Sequence, residues 1–458
     1  MTRPPADLDF HFGKAAALIP LTLFIVGVVT IALLGAPDEK SFWPVLLAAL
    51  TAGMVLARDK KRFGETVFAG MSQPLVPLMI SAWLISSCIG ILMADSGLVG
   101  ALTGLGAGLG VGGATFILLT LVICGVISLS TGSSFATILI CGPILYPAGG
   151  QLGAHLPTLA GAIMGGATFG DFLAPVSDTT IASAVSMQQE IGTVVKSRVR
   201  LALPALGLAT AGYALAAFLF SGDPAAVPIG AQAVDLRALL MLLTPALIIY
   251  LFLKNYHLLF CLLIGLAFGV VLGLVFTFIE PARVFSLDPA NFSARSFIID
   301  GINRALGISV FTLLLMGLVA TVVASGITRE AIERVQHRIR TKRQAGVAIA
   351  GITSLAVLLT THSIVAILSV SEFVTRIVER HAYSPVHAAN VMSAMACAYP
   401  FLLPYFVPVL LMVNVSGSGV PFGVPQVGAI EAGLFNFVSW GIFIVSLLHL
   451  FRNNPTPP

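Results

Sequence analysis

Long apolar runs recur along this chain at 15–34, 42–57, 73–93, 113–129, 201–220, 236–254, 256–278, 308–327 and 432–451. Each lies near the roughly 20 residues that a helix needs to span a bilayer core. The runs are continuous and do not alternate, which argues against a period-two barrel and predicts helices. Composition closes the soluble alternative: 57% of residues are hydrophobic and 10% charged, against about 25% charged in soluble domains. The expected fold class is therefore an all-α polytopic membrane protein. The first run is followed by the acidic GAPDEKS of 35–41 and not by a small-residue cleavage site, so it reads as a retained span. Cys88, Cys124, Cys141, Cys261 and Cys397 stand singly in apolar segments, as packing residues do.

The basic residues give an orientation. They concentrate at Arg58, Lys60, Lys61 and Arg62, at Lys196, Arg198 and Arg200, and at Arg329, Arg334, Arg338, Arg340, Lys342 and Arg343. Read as short loops, all three face the cytoplasm by the positive-inside rule. Threading from Arg3 and Lys14 leaves Asp38, Glu39 and Asp95 outside and returns Arg452 inside. Both termini are expected in the cytoplasm, with the chain in a bacterial inner membrane surrounded by lipid. The net charge of +4 is spread over these loops and carries no nucleic-acid signal.

The two halves resemble each other weakly. TGSSFATI at 131–138 pairs with THSIVAIL at 361–368, which sets His362 in the place of Gly132, and DFLAP at 171–175 pairs with PFLLP at 400–404 at an offset of 229. The threading gives equivalent spans, such as 201–220 and 432–451, opposite directions. Internal similarity with reversed orientation predicts two inverted-topology repeats, 1–220 and 221–458, in one membrane domain, an architecture of secondary transporters. Segment 113–147 is expected as a re-entrant hairpin and 157–190 as a broken crossing helix. Such irregular backbone survives at membrane depth only where protein or water covers it.

The breaks hold the chemistry. Pro175 lacks the N–H that would bond the carbonyl of Asp171 and leaves that oxygen open to a cation. Around it stand the carboxylates of Asp171 and Asp178 and the hydroxyls of Thr168, Ser177, Thr179 and Thr180, with Thr131, Ser133 and Ser134 facing them from the first break. This all-oxygen set suits a hard ion such as Na+, and Gly132 supplies turn freedom. No Lys or Arg lies near either Asp in sequence. A carboxylate taken out of water holds its proton, and a bound cation expels it, so one site can exchange Na+ for H+. The plainer reading of Asp178 is a helix cap, since SDTT is an N-cap signal. In the second half Thr361, His362 and Ser363 mark the break, with Pro404 marking the following one. His362 is either a hydrogen-bonded core residue or a proton or substrate contact. No cofactor motif is read; Na+ and H+ are the ions carried.

Gly170-Asp171, Pro175 and Ser177-Asp178-Thr179-Thr180, with the earlier Thr131-Gly132-Ser133-Ser134, closely resemble the signature of the NhaC family of sodium/proton antiporters. The resemblance implies an ion-transporter fold of ten or more helices and sodium-coupled exchange. Two departures bear on the cargo: Phe172 stands where the family often has a polar residue, and Pro404-Tyr405 replaces acidic and Pro-Trp elements. Some relatives move carboxylates or amino acids, so a small organic anion or amino acid is the alternative cargo. Transporters of this build often form homodimers. An intramembrane aspartyl protease is disfavoured, because its two carboxylates must converge from separate helices. The G-x-G-x-x-G of Gly108, Gly110 and Gly113 follows no strand and reads as a membrane loop.

Overall fold

A computed structural model of the chain describes residues 8–34, 39–220, 235–254, 256–289, 293–327, 330, 339–361 and 363–452. Arg3, Asp38, Arg329, Arg334, Arg338 and His362 lie outside the described residues. The first half runs through α1 (Leu18–Leu33), α2 (Trp43–Leu56), α3 (Lys60–Met71), α4 (Leu75–Asp95), α5 (Leu98–Gly108), α6 (Gly113–Thr131), α7 (Ser134–Gln151), α8 (Leu156–Leu173), α9 (Asp178–Ser186) and α10 (Ile191–Phe220). The second contains α11 (Leu243–Leu253), α12 (Leu258–Val275), the short α13 (Pro281–Val284) and α14 (Phe297–Ala324). It continues with α15 (Lys342–Thr360), α16 (Ser363–His381), α17 (Pro385–Ala398), α18 (Val407–Ser416), α19 (Ala429–Leu434) and α20 (Phe437–Arg452). The strands β1 (Ser286–Asp288) and β2 (Ser293–Arg295) pair antiparallel. Among the described residues nine helices are long and apolar enough to cross a membrane; the chain is an all-α polytopic membrane protein.

Local chemistry explains where the helices depart from the apolar runs. The run at 308–327 belongs to a longer helix that begins at Phe297, because Ser296 caps it by accepting the Ile298 N–H at 3.1 Å. The basic stretch at 58–62 is not all loop. Asp59 accepts the Arg62 N–H at 3.0 Å and starts α3, which lies against α14 with Gly70 beside the Met316 carbonyl. Lys196, Arg198 and Arg200 likewise sit in the opening turns of α10 and not in a loop.

α8 is buried on all sides, the mark of a helix at the centre of a bundle. It lies almost backbone to backbone on α6: a Cβ at Gly170 would come 2.3 Å from the Leu129 nitrogen, and one at Gly166 2.5 Å from the Leu121 carbonyl oxygen. Glycines four residues apart make this approach, as small residues do between membrane helices. In α7, Pro143 removes the helical bond to the Leu139 carbonyl, and Ser86 Oγ restores it from α4 at 2.8 Å.

α6 and α7 form a helical hairpin. Gly113 at the start of α6 packs on Gly153 and Ala154, just beyond the end of α7, so the chain turns back at Gly132. α15 and α16 form a second hairpin, with Gly346 near the start of α15 against Tyr383, just beyond α16. The two enter from opposite ends of α10. At the open end of the first, His155 stacks on Phe220 at the C-terminus of α10, with centroids 4.9 Å apart. At the open end of the second, His387 feels the charge of Arg200 near the N-terminus of α10.

Candidate functional site

Two backbone breaks meet around Asp171. α6 ends at Thr131, and Gly132 takes a left-handed conformation with φ of 66°. A Cβ there would fall 2.7 Å from Val176 Cγ2 and 3.0 Å from the Ser177 nitrogen, so both conformation and space require glycine. On the other side α8 stops at Leu173, and Ala174 turns extended before Pro175. Ser177 then stands as N-cap of α9. The two interruptions therefore touch, one from the hairpin and one from the broken helix.

Asp171 is gripped at both oxygens. Ser134 Oγ donates to Oδ2 at 2.7 Å, and Ser177 Oγ donates to Oδ1 at 2.6 Å. Ser177 Oγ lies 3.0 Å from Thr179 Oγ1, which is 3.4 Å from Cys397 Sγ on α17. A chain of small polar groups thus leads from the carboxylate into the second half of the protein.

The structure adds a residue that the sequence reading assigned to a cytoplasmic loop. Arg198 is fully buried and reaches both sides of the second break. Its Nη1 donates to the Phe172 carbonyl at 2.6 Å and to Thr180 Oγ1 at 2.6 Å, while Nε donates to Asn390 Oδ1 on α17 at 3.0 Å. Its guanidinium carbon stands 4.9 Å from the centre of the Phe172 ring. A carbonyl opened by the break is thus taken by a cation that the protein itself supplies. Arg198 is also close enough to Asp171 for the charges to interact. No basic residue neighbours either Asp in sequence, but α10 folds back along α8 and α9 and carries Arg198 inward toward Asp171. Phe172, a departure from the expected motif, provides both the ring and the carbonyl that hold it. The sequence did contain a signal: Val194, Arg198, Leu201, Ala202 and Ala205 follow helical spacing and all are buried.

Other expected ligands turn away. Thr168 Oγ1 bonds back to the Met164 carbonyl at 2.8 Å, and Thr131 Oγ1 points at the Ser128 carbonyl at 3.5 Å. Ser133 Oγ accepts the Ala136 N–H at 3.2 Å and serves as a cap. Asp178 is exposed on the first turn of α9. It is not the helix cap that SDTT suggested, since Ser177 holds that position; its charge still favours the positive end of α9.

In the second half Thr361, and not His362, takes the left-handed place of Gly132, with φ of 52°. The weak repeat therefore aligns at 229 at the hairpin tip as well. Thr361 Oγ1 bonds the Thr360 carbonyl at 2.8 Å, and Ser363 Oγ bonds the Ala396 carbonyl at 2.7 Å. In the first half Ser128 Oγ bonds the Ala167 carbonyl at 2.5 Å, the same carbonyl at the same offset. Neither Thr361 nor Ser363 bonds Asp171. Pro404 lies in the irregular stretch between α17 and α18.

Residues 12–217 match the model of the Na+/H+ antiporter family. A malate-2H(+)/Na(+)-lactate antiporter of Bacillus subtilis (strain 168) is 28% identical over 206 residues, 45% of this chain and 43% of that protein. The Na(+)/H(+) antiporter NhaC of Alkalihalophilus pseudofirmus is 45% identical over 65 residues, 14% of this chain and 14% of that protein. The matched stretches span less than half the length of these relatives. Residues 12–217, which carry both breaks around Asp171 together with Arg198, are thus similar to the Na+/H+ antiporter family.

Proposed function

We propose that the chain is a secondary active antiporter that exchanges Na+ or Li+ for H+ at Asp171 by alternating access. The observation that carries this reading is the carboxylate of Asp171, held by Ser134 and Ser177 where two helix breaks meet. Na+ would be bound by that carboxylate with hydroxyl and opened carbonyl oxygens, and H+ by the carboxylate alone.

Arg198 explains why exchange is the natural mode. With Asp171 ionised, the pair is locally neutral. Adding either H+ or Na+ leaves the same single positive charge beside the break. The two loaded states are then electrostatically alike, while the empty state differs from both by one charge, so a switch that tolerates one cargo tolerates the other. Asp178, exposed at the end of α9, would act as an attracting charge on the ion's approach. The halves 1–220 and 221–458 are read as inverted repeats that rock about this site in a bacterial inner membrane, with both termini cytoplasmic and the protein a homodimer. The second reading, exchange that includes an organic anion, draws on similarity to the malate and lactate antiporter.

Everted vesicles holding a proton gradient test the proposal. Na+ or Li+ alone should dissipate the gradient, Asp171→Asn should abolish the response, and Asp178→Asn should retain most of it with weaker apparent affinity. If Na+ is inert unless an organic acid is present, cation-for-proton exchange is wrong and the second reading replaces it.

A further inference from the structure

A second polar space lies away from Asp171. It is an open cavity of about 310 Å³ lined by Lys40, Arg304, Asn414, Val420, Pro421 and Gln426. Arg304 and Asn414 also line a separate, water-sized space bounded by Ser86, Ser87, Ser418 and Leu139. The Ser87 and Ser418 hydroxyls are buried there without hydrogen-bond partners. Leu139 lies five residues beyond Ser134 on α7, about 8 Å along the helix at 1.5 Å per residue.

The Arg304 guanidinium has hydrogen-bonding capacity to spare at this cavity. Asp95 and Asp300 are near enough to act on Arg304, yet both are occupied by Arg283, at 2.7 Å and 3.1 Å. No carboxylate stands among the described residues that line the cavity, and the Arg304 guanidinium makes no hydrogen bond or ion pair with a described residue. A half-buried guanidinium whose donors meet no acceptor among the described residues is unfavourable. A carboxylate satisfies it in a two-pronged geometry that a monatomic anion cannot match. The volume and the Val420 and Pro421 walls suit a few carbon atoms, and Lys40 offers a second cationic group.

We propose that this cavity binds a small organic dicarboxylate and is the entry site of an anionic cargo. Only its use as an entry site rests on the transport reading; binding stands apart from Asp171. The test uses the purified full-length chain in detergent, with succinate as probe and sodium chloride matched for ionic strength. Succinate should raise the unfolding temperature saturably, because a ligand of the folded state stabilises it by mass action. Arg304→Gln should abolish the shift, and Arg304→Lys should keep part of it. Lys40 is exposed, so Lys40→Gln folds irrespective of Arg304 and should weaken apparent affinity about tenfold. Asp171→Asn, which loses cation exchange, should bind succinate normally, so failure of either proposal is visible without the other. The proposal is overturned if succinate gives no saturable shift, if chloride reproduces it, or if Lys40→Gln and Arg304→Lys both bind as the native chain does.

Discussion

Asp171 and Arg198 are each held by groups that stand at the helix breaks. The carboxylate is fixed by two serines, one on each break, and the guanidinium by the Phe172 carbonyl, Thr180 and Asn390. Arg198→Lys keeps the charge but cannot span three acceptors with one ammonium group. It should fold and exchange, with the Na+ concentration for half-maximal response in vesicles raised about tenfold, equivalent to about 1.4 kcal/mol. An unchanged response would reduce Arg198 to a packing role. Residue type was legible in the sequence here, but residue direction was not. The hydroxyls of Thr168 and Ser177 are equally suited to an ion, and only the fold turns one into its own helix and the other onto Asp171. Arg198 was misread for a related reason: positive charge near a membrane segment signals a loop, and its buried helical spacing carried the contrary message.

At the scale of elements, hairpin tips and helix contacts decide where those side chains stand. Gly132 and Thr361 hold the same left-handed position in their hairpins, at φ values where a side chain costs roughly 1–2 kcal/mol. Gly132→Ala should destabilise by about 1–3 kcal/mol through strain and the collision with Val176 and should depress exchange, while Thr361→Gly should be tolerated or mildly stabilising. Unfolding temperatures of the two variants in detergent, moving in the same direction, would contradict the equivalence. A similar contrast applies along the helices. Gly170→Ala drives a methyl into the α6 backbone and should lower the unfolding temperature and impair exchange together, whereas Gly207, with nothing within 4 Å, should accept alanine with no loss. The first-half break was readable because Gly and Pro mark it. The second was placed one residue late, since a threonine in left-handed conformation leaves no mark in sequence.

For the whole molecule the central matter is direction. α10 carries 30 residues, about 45 Å at 1.5 Å per residue, and the open ends of the two hairpins adjoin its opposite termini. Apolar runs were sufficient for an all-helical chain of many spans, because that depends on composition over tens of residues and not on any single contact; the reversal of the halves across the membrane is what labelling tests. Leu109, at the exposed turn before α6, and Arg380, at the exposed end of α16, then belong on opposite faces of the membrane. The native cysteines Cys88, Cys124, Cys141, Cys261 and Cys397 are all buried, so they are expected to react slowly with an impermeant thiol reagent. In right-side-out vesicles Leu109→Cys should label rapidly and Arg380→Cys should not, with the pattern reversed in everted vesicles. Labelling of both from one side would place the hairpins in parallel. Asp171 would then lose the opposed pair of entrances that alternating access needs, since each hairpin must lend its tip to the centre from its own side of the membrane.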